Sequence, residues 1–277
     1  MRPPIKPEKS RARPETTVSA RGMALDLVTA VLRKGRLLDE ALASGGDSAG
    51  NSGENALDGL EPRDRAFVRL LVATVLRRLG QLDAALGHCL ERPLPHKATS
   101  VHDILRLGTA QLLFLETPPH AAVDTSVELA RARGFAPHLK LINAVLRRIS
   151  REGAALIKAQ DAPRLNTPDW LWESWVAAYG EDQARAIATA HMAEPPLDLS
   201  VTGDPGTWAE KLGGTVGGTG TVGTTGTVRL AKTARVTEME GFAEGQWWVQ
   251  DAASALPGRL LGEVAGGRVL ALCAAPG

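Results

Sequence analysis

The stretch EPRDRAFVRLLVATVLRRLGQLDAALGHCL, residues 61–90, decides the fold class of the first half of the chain. Its apolar residues recur at intervals of three and four, which is the repeat of one face of an α-helix. Pro62 suits the first turn of such a helix, and only Thr74 and Arg78 interrupt the face. The stretch therefore predicts an amphipathic helical segment. Its predicted apolar face consists of Phe67, Leu70, Leu71, Val75 and Leu79.

The same repeat extends on both sides of this stretch. It is seen around Leu25–Leu32, around Ile104–Leu115 and around Leu141–Ile149, with a glycine-rich polar loop at 44–55. Gly108 lies inside one repeat, where glycine costs about 1 kcal/mol relative to alanine, and this predicts close approach of a neighbouring helix. We expect an all-α bundle over residues 19–155, preceded by a flexible basic tail at 1–18.

The composition changes near Pro163, and all six tryptophans lie beyond it. PRLNTPDW (163–170) is typical of a linker between domains. Two helices are predicted around Tyr179–Gly180, the first capped by Asp169. Short strands are predicted in EPPLDLSVTG, GTVRLA, ARVTEMEGF and GQWWVQD, and the Gly/Thr-rich segment 213–227 predicts a hairpin or a mobile loop. These elements indicate a small α/β linking domain over 164–240.

The last segment, GGRVLALCAAPG (266–277), follows a predicted helix, AASALPGRLLGEV, that Pro257 interrupts. Consecutive apolar positions are typical of a strand buried on both faces of a parallel sheet. Ligands of such sheets bind beyond the carboxyl ends of the strands, where small residues let backbone amides approach. From these residues alone, an ordinary tight turn explains CAAPG equally well.

These segments together resemble the RsmB/Sun family of ribosomal RNA (cytosine-5) methyltransferases. Val249, Gln250 and Asp251 match a signature before the catalytic domain, and PRDRAFVRLLVATVLR, LRLGTAQLLFLETPPHAAVDTSVELA and LINAVLRRI resemble its N-terminal NusB-type domain. The likeness is colinear over residues 19–277. It implies a multidomain α and α/β fold: a NusB-like helical bundle, a small α/β domain, and the first strand of a Rossmann-like methyltransferase domain at 241–277.

The resemblance also implies a cofactor and a reaction. The cofactor is S-adenosyl-L-methionine, the substrate is a cytosine of (16S) ribosomal RNA, and methylation occurs at carbon 5 through a cysteine nucleophile. That nucleophile is expected beyond residue 277, so we assign no catalytic residue here and expect a truncated, inactive chain. Ala271 stands where the family usually has aspartate. The residues implied to line the cofactor site are Cys273, Ala274, Ala275, Pro276 and Gly277.

Contact with RNA has to be local, because the net charge is only +1. Basic residues are concentrated within positions 1–36, where a merely solvated face is the alternative explanation. The predicted RNA-binding residues are Arg11, Arg13, Arg21, Arg33, Lys34 and Arg36. Arg147, Arg148 and Arg151 either contact RNA or complement the dipole at the end of a helix. The tryptophans of WLWESW are better explained by packing between domains than by base stacking.

Other features limit the remaining function classes. The two cysteines, Cys89 and Cys273, cannot form a disulfide framework, and we expect a cytoplasmic monomer with Cys89 as a small buried hydrophobe. No run of about 18 apolar residues predicts a membrane span, and the histidine spacing predicts no metal site. A NusB-like RNA-binding or antitermination protein without methyltransferase activity is the alternative. The segment 164–277 argues against it, because a NusB protein alone would end near residue 155.

Overall fold

The computed structural model of the protein describes residues 15–43, 57–217, 226–231, 236–262, 265–270 and 272. The chain divides into two compact units, Met1–Ala193 and Glu194–Gly277. The first is helical and the second is a small antiparallel sheet with helices, which confirms the predicted multidomain α and α/β class. Within the described ranges, no helix combines the length and apolarity that crossing a membrane requires.

The described part of the first unit is built from α-helices joined by short turns, with 3-10 turns at His96–Ala98 and Ala136–His138. The helices are α1 (Glu15–Lys34), α2 (Leu38–Ala43), α3 (Pro62–Arg77), α4 (Leu79–Cys89), α5 (Thr99–Leu113), α6 (Pro119–Ala132), α7 (Leu139–Lys158), α8 (Ala162–Leu165), α9 (Asp169–Tyr179) and α10 (Glu181–His191).

Helix α5 is the centre of the bundle. It is buried along most of its length and packs against α1, α3, α4, α6 and α7. A Cβ at Gly108 would lie 2.6 Å from Cδ1 of Leu146 and 2.9 Å from Oγ of Ser126. The predicted reason for this glycine, the close approach of a neighbouring helix, is therefore confirmed.

The stretch 61–90 forms two helices, α3 and α4, because the helix breaks at Arg78 (φ −111°, ψ 18°). The buried face of α3 is also rotated from the predicted one. Val68 and Val72 are buried with Leu71 and Val75, whereas Leu70 is 50% exposed. The sequence contains two overlapping apolar stripes, and only packing against α1 and α5 selects between them.

The predicted linker at 163–170 is part of the first unit, and the boundary between the units follows Ala193. Asn166 connects the 163–170 segment to α4 through two hydrogen bonds with Gln81. The backbone N–H of Gln81 donates to Oδ1 of Asn166 (3.1 Å), and Nδ2 of Asn166 donates to Oε1 of Gln81 (2.9 Å). The helix pair around Gly180 (φ 81°) is confirmed, although Asp169 lies in the first turn of α9 and Pro168 occupies the cap.

The second unit contains a four-stranded antiparallel sheet in the order β2-β3-β1-β4. Its elements are β1 (Leu197–Val201), α11 (Pro205–Leu212), β2 (Thr215–Gly217), β3 (Thr227–Leu230), β4 (Trp247–Val249) and α12 (Ala252–Leu260). Three predicted strands are confirmed, but ARVTEMEGF contains a 3-10 turn at Val236–Glu238 instead of a strand. The paired strands β2 and β3 lie at the two ends of the Gly/Thr-rich segment 213–227, β2 inside it and β3 starting at its last residue; residues 218–225 lie outside the described residues.

The predicted buried strand near residue 270 is wrong for the residues described there. Residues 265–270 and 272 are not in a strand, and Val269, Leu270 and Leu272 are 56%, 80% and 75% exposed. An apolar run becomes a buried strand only where neighbouring strands satisfy its backbone groups, and no described strand pairs with this segment. Helix α12, in contrast to the prediction, continues through Pro257.

Candidate nucleic-acid interface

Arg21, one of the predicted RNA contacts, is buried within the bundle. Its side chain Nε donates to Oε1 of Gln111 on α5 (2.8 Å), and its guanidinium lies 5.0 Å from the centre of the Phe67 ring on α3. Only 7% of the residue is exposed, and burial lowers the pKa of the guanidinium while the nearby Asp64 acts in the opposite direction. Arg21 therefore connects α1 to its neighbours, and this burial argues against direct contact with RNA.

Arg33 is exposed, but its guanidinium pairs with a carboxylate inside the first unit. Its guanidinium donates to both oxygens of Asp103 (3.0 and 3.2 Å), a carboxylate that is fully buried. Arg106 donates to the same carboxylate (2.7 Å) and, with two further hydrogen bonds of 2.6 and 2.7 Å, to Asp83. Since a buried charge must be paired, Arg33 compensates Asp103 and is not a free cation.

The remaining predicted RNA contacts are placed as follows. Lys34 is exposed at the end of α1, and Nη2 of Arg36 donates to the carbonyl oxygen of Glu40 (3.3 Å). Both residues also have further interaction partners. Arg11 and Arg13 lie outside the described residues, so their contact with RNA stays a prediction.

A second basic surface lies on α7. Arg147, Arg148 and Arg151 were expected near a helix end, but α7 extends to Lys158, so the dipole explanation does not apply to them. Arg148 pairs with Glu152 (2.9 Å), whereas Arg147 and Arg151 are exposed and form no ion pair in the described part of the chain. These two arginines line a groove of about 340 Å³ that also includes Pro119, His120, Val123, Asp124 and Ser150.

Two further cations on α7 were missed from the sequence. Lys140 and Lys158 are exposed like Arg147 and Arg151. The spacing of the four residues, i, i+7, i+11 and i+18, brings all of them within about 20° of one line along an α-helix. That spacing was a detectable signal in the sequence. We call Lys140, Arg147, Arg151 and Lys158 the α7 stripe.

The implied cofactor residues Cys273–Gly277 lie outside the described residues, so nothing tests them. Cys89 is 4% exposed in the core of the bundle, and burial raises the pKa of its thiol. Because the thiolate is the reactive form, Cys89 is a packing residue rather than a nucleophile, as predicted. The described residues contain no group of three or more potential metal ligands.

The Gln250–Asp251 part of the signature has a visible structural role. Oδ1 of Asp251 accepts from the backbone N–H of Ala253 (2.8 Å) and caps α12. Oε1 of Gln250 accepts from Oγ of Ser200 on β1 (2.7 Å). Asp198, also on β1, accepts two hydrogen bonds from Arg229 (2.7 Å each) and one from the backbone N–H of Ala252 (3.1 Å). The signature thus fixes the start of α12 on the sheet.

Comparison with known proteins assigns the helical bundle. Residues 18–151 match the NusB family. This stretch is similar to a NusB domain, and we call it the NusB domain. The NusB domain of this chain therefore includes α1 to α7 up to Arg151. Among solved structures, the "T. maritima NusB, P3121, Form 2" structure has a TM-score of 0.41 and 21% identity, covering 50% of this chain and 92% of that one.

The likeness to curated relatives continues beyond the NusB domain. "Ribosomal RNA small subunit methyltransferase B" of Xanthomonas campestris is 36% identical over 266 residues, which cover 94% of this chain and 57% of that protein. Proteins of the same name from Xylella fastidiosa and Klebsiella pneumoniae are 33% and 34% identical, again over 94% of this chain. The chain spans 57–59% of the length of these three relatives. The resemblance to RsmB/Sun-type proteins is confirmed.

Proposed function

We propose that this chain provides the NusB domain and the linking sheet of an S-adenosyl-L-methionine-dependent methyltransferase that modifies carbon 5 of a cytosine in small-subunit (16S) ribosomal RNA. One observation carries the proposal. The alignment with proteins named ribosomal RNA small subunit methyltransferase B covers 94% of the chain and therefore continues far beyond residue 151, where the NusB match ends. A NusB-like antitermination protein would not account for the sheet or for the capped start of α12.

In this proposal the NusB domain binds ribosomal RNA, and the second unit leads the chain to the methyl-donor site. The cofactor, when bound, supplies the methyl group. The described residues do not form its site: Val269, Leu270 and Leu272 are exposed, and no parallel sheet surrounds them. The proposed cofactor contacts stay Cys273, Ala274, Ala275, Pro276 and Gly277.

Two binding measurements on the 277-residue chain test the proposal. A labelled fragment of small-subunit ribosomal RNA is expected to bind, with an affinity that falls as salt is raised because phosphate contacts release counterions. Calorimetric titration with S-adenosyl-L-methionine is expected to show negligible binding by this chain alone. Absence of RNA binding would contradict the proposed role of the NusB domain, and micromolar cofactor affinity would contradict the expectation that the described residues do not form the cofactor site.

A further inference from the structure

We infer that the α7 stripe binds the phosphodiester backbone of RNA, and that it is the main cationic contact surface among the described residues of the first unit. The inference rests on the proposed function, because it takes RNA as the ligand. It moves the contact away from the predicted N-terminal set, in which Arg21 is buried and Arg33, although exposed, is paired with the buried Asp103.

The four cations of the α7 stripe form a line along the helix. With a rise of 1.5 Å per residue, Lys140 and Arg147 are about 10 Å apart along the axis, Arg147 and Arg151 about 6 Å, and Arg151 and Lys158 about 10 Å. The four cations therefore extend along about 27 Å of one helix face. A polyanion with regularly repeating phosphates can contact such a line of charge at several points, whereas one small anion cannot.

The four cations of the α7 stripe are available to a ligand. Ion pairs with carboxylates engage several other arginines: Arg106, Arg133, Arg148, Arg185 and Arg229. The four stripe residues form none within the described part of the chain; the only hydrogen bond of Arg147 that involves a side-chain partner is donated by its Nε to Oδ1 of Asn143 (3.1 Å). Among the described residues, the four stripe cations are therefore not ion-paired with a carboxylate.

A groove lies beside Arg147 and Arg151. Its opposite wall is the first turn of α6 with Pro119 and His120, a turn that contains no acidic residue. One carboxylate, Asp124, also lines this groove and is exposed. The negative charge of Asp124 opposes anion binding. Its removal should therefore strengthen RNA binding, whereas removal of Arg147 and Arg151 should weaken it.

The test compares double variants of the 277-residue chain in binding to a labelled fragment of small-subunit ribosomal RNA. Arg147→Gln/Arg151→Gln is expected to weaken binding about 25-fold at about 0.1 M salt, because each phosphate contact contributes a salt exponent of about 0.7 or more. The slope of log affinity against log salt should fall in magnitude by about 1.5. Since the contacts are to backbone, a scrambled RNA of the same length should lose affinity equally.

The matched control is Arg63→Gln/Arg69→Gln on α3, where both arginines are exposed and form no ion pair among the described residues. It removes the same charge from another surface and is expected to change affinity less than threefold. Asp124→Asn is expected to strengthen binding, by about 1.5- to 5-fold, as for the removal of one exposed opposing charge. Circular dichroism of every variant checks that helicity is unchanged.

The outcomes separate the inference from the proposed function. If the wild-type chain binds RNA and the α7 variant binds equally well, the inference is overturned while RNA binding by the NusB domain stands. An equal loss in the α3 control would also overturn it, because binding would then follow net charge. If the wild-type chain does not bind RNA, or binds anionic lipid vesicles instead, both the inference and the proposed role of the domain fail.

Discussion

Asp198 shows how one buried carboxylate holds the second unit together. Its side chain is 2% exposed and accepts hydrogen bonds from Arg229 on β3 and from the start of α12. Arg229 holds the pKa of this carboxyl below its ordinary value of about 3.9, although burial acts in the opposite direction. A carboxyl with a lowered folded-state pKa stabilises the fold above the unfolded-state pKa, and this contribution is lost as pH falls through the folded-state value.

We therefore predict that the second unit loses stability below about pH 4, and that Asp198→Asn removes most of this acid dependence. The variant should also be less stable at pH 7, by about 1–2 kcal/mol, because the charge-assisted hydrogen bonds from Arg229 are weakened while that arginine, 47% exposed, stays solvated. The indole N–H resonances of Trp208 and Trp247 report unfolding of this unit as pH and urea are varied. Glu210→Gln, an exposed carboxyl on α11, is the control. An unchanged acid profile in Asp198→Asn would contradict the prediction.

The role of Asp198 could not be predicted from its sequence position, and the same is true of Arg21 and Arg33. Arg21 and Arg33 follow a basic tail, and composition alone favoured a surface that contacts RNA. Their partners, Gln111 and Asp103, are 90 and 70 residues away along the chain. A charged residue in an amphipathic helix can face solvent or a buried opposite charge, and local pattern does not distinguish these environments.

In helix α4, replacement of its two glycines by alanine is expected to have opposite effects on stability. A Cβ at Gly80 would lie 1.7 Å from the carbonyl oxygen of Leu165, whereas a Cβ at Gly87 would meet nothing within 4 Å. Gly80→Ala must displace the backbone of the 162–167 segment, and we expect a loss of about 3 kcal/mol. Gly87→Ala should instead stabilise the protein by up to about 1 kcal/mol, because alanine is the better helix former. Urea unfolding followed by circular dichroism measures both, and equal effects would contradict the packing described.

The helices of the bundle could be predicted because their apolar repeats are long. The reason for Gly108 was predictable as well, since a glycine inside such a repeat needs a packing explanation. The reason for Gly80 could not be predicted. Its neighbour is the segment around Leu165, which contains two prolines and was therefore interpreted as a linker. In the structure Pro163 and Pro168 lie at the starts of α8 and α9, where proline is as compatible with a helix as it is with a linker.

For the whole molecule, the boundary after Ala193 predicts which fragment is stable by itself. Residues 1–193 contain the NusB domain with α8, α9 and α10, and should unfold cooperatively with the same urea midpoint as the first unit of the full chain. Residues 1–158 lack Gln160 and Asn166, whose amides donate to the backbone and side chain of Gln81 (3.1 and 2.9 Å). Gln81 is 2% exposed in the full chain and would become open to water.

The shorter fragment should therefore still be helical but less stable, by about 2 kcal/mol, since each lost hydrogen bond contributes about 1 kcal/mol and water replaces part of it. Of these two bonds, Gln81→Ala in the 1–193 fragment removes only the one from Nδ2 of Asn166 to the Gln81 side chain, without shortening the chain, and should therefore cost less, about 1 kcal/mol. Urea unfolding followed by circular dichroism at 222 nm gives all three stabilities. If residues 1–158 matched residues 1–193 in stability, α8 to α10 would not belong to the first unit energetically, and the original boundary near residue 163 would be the better one.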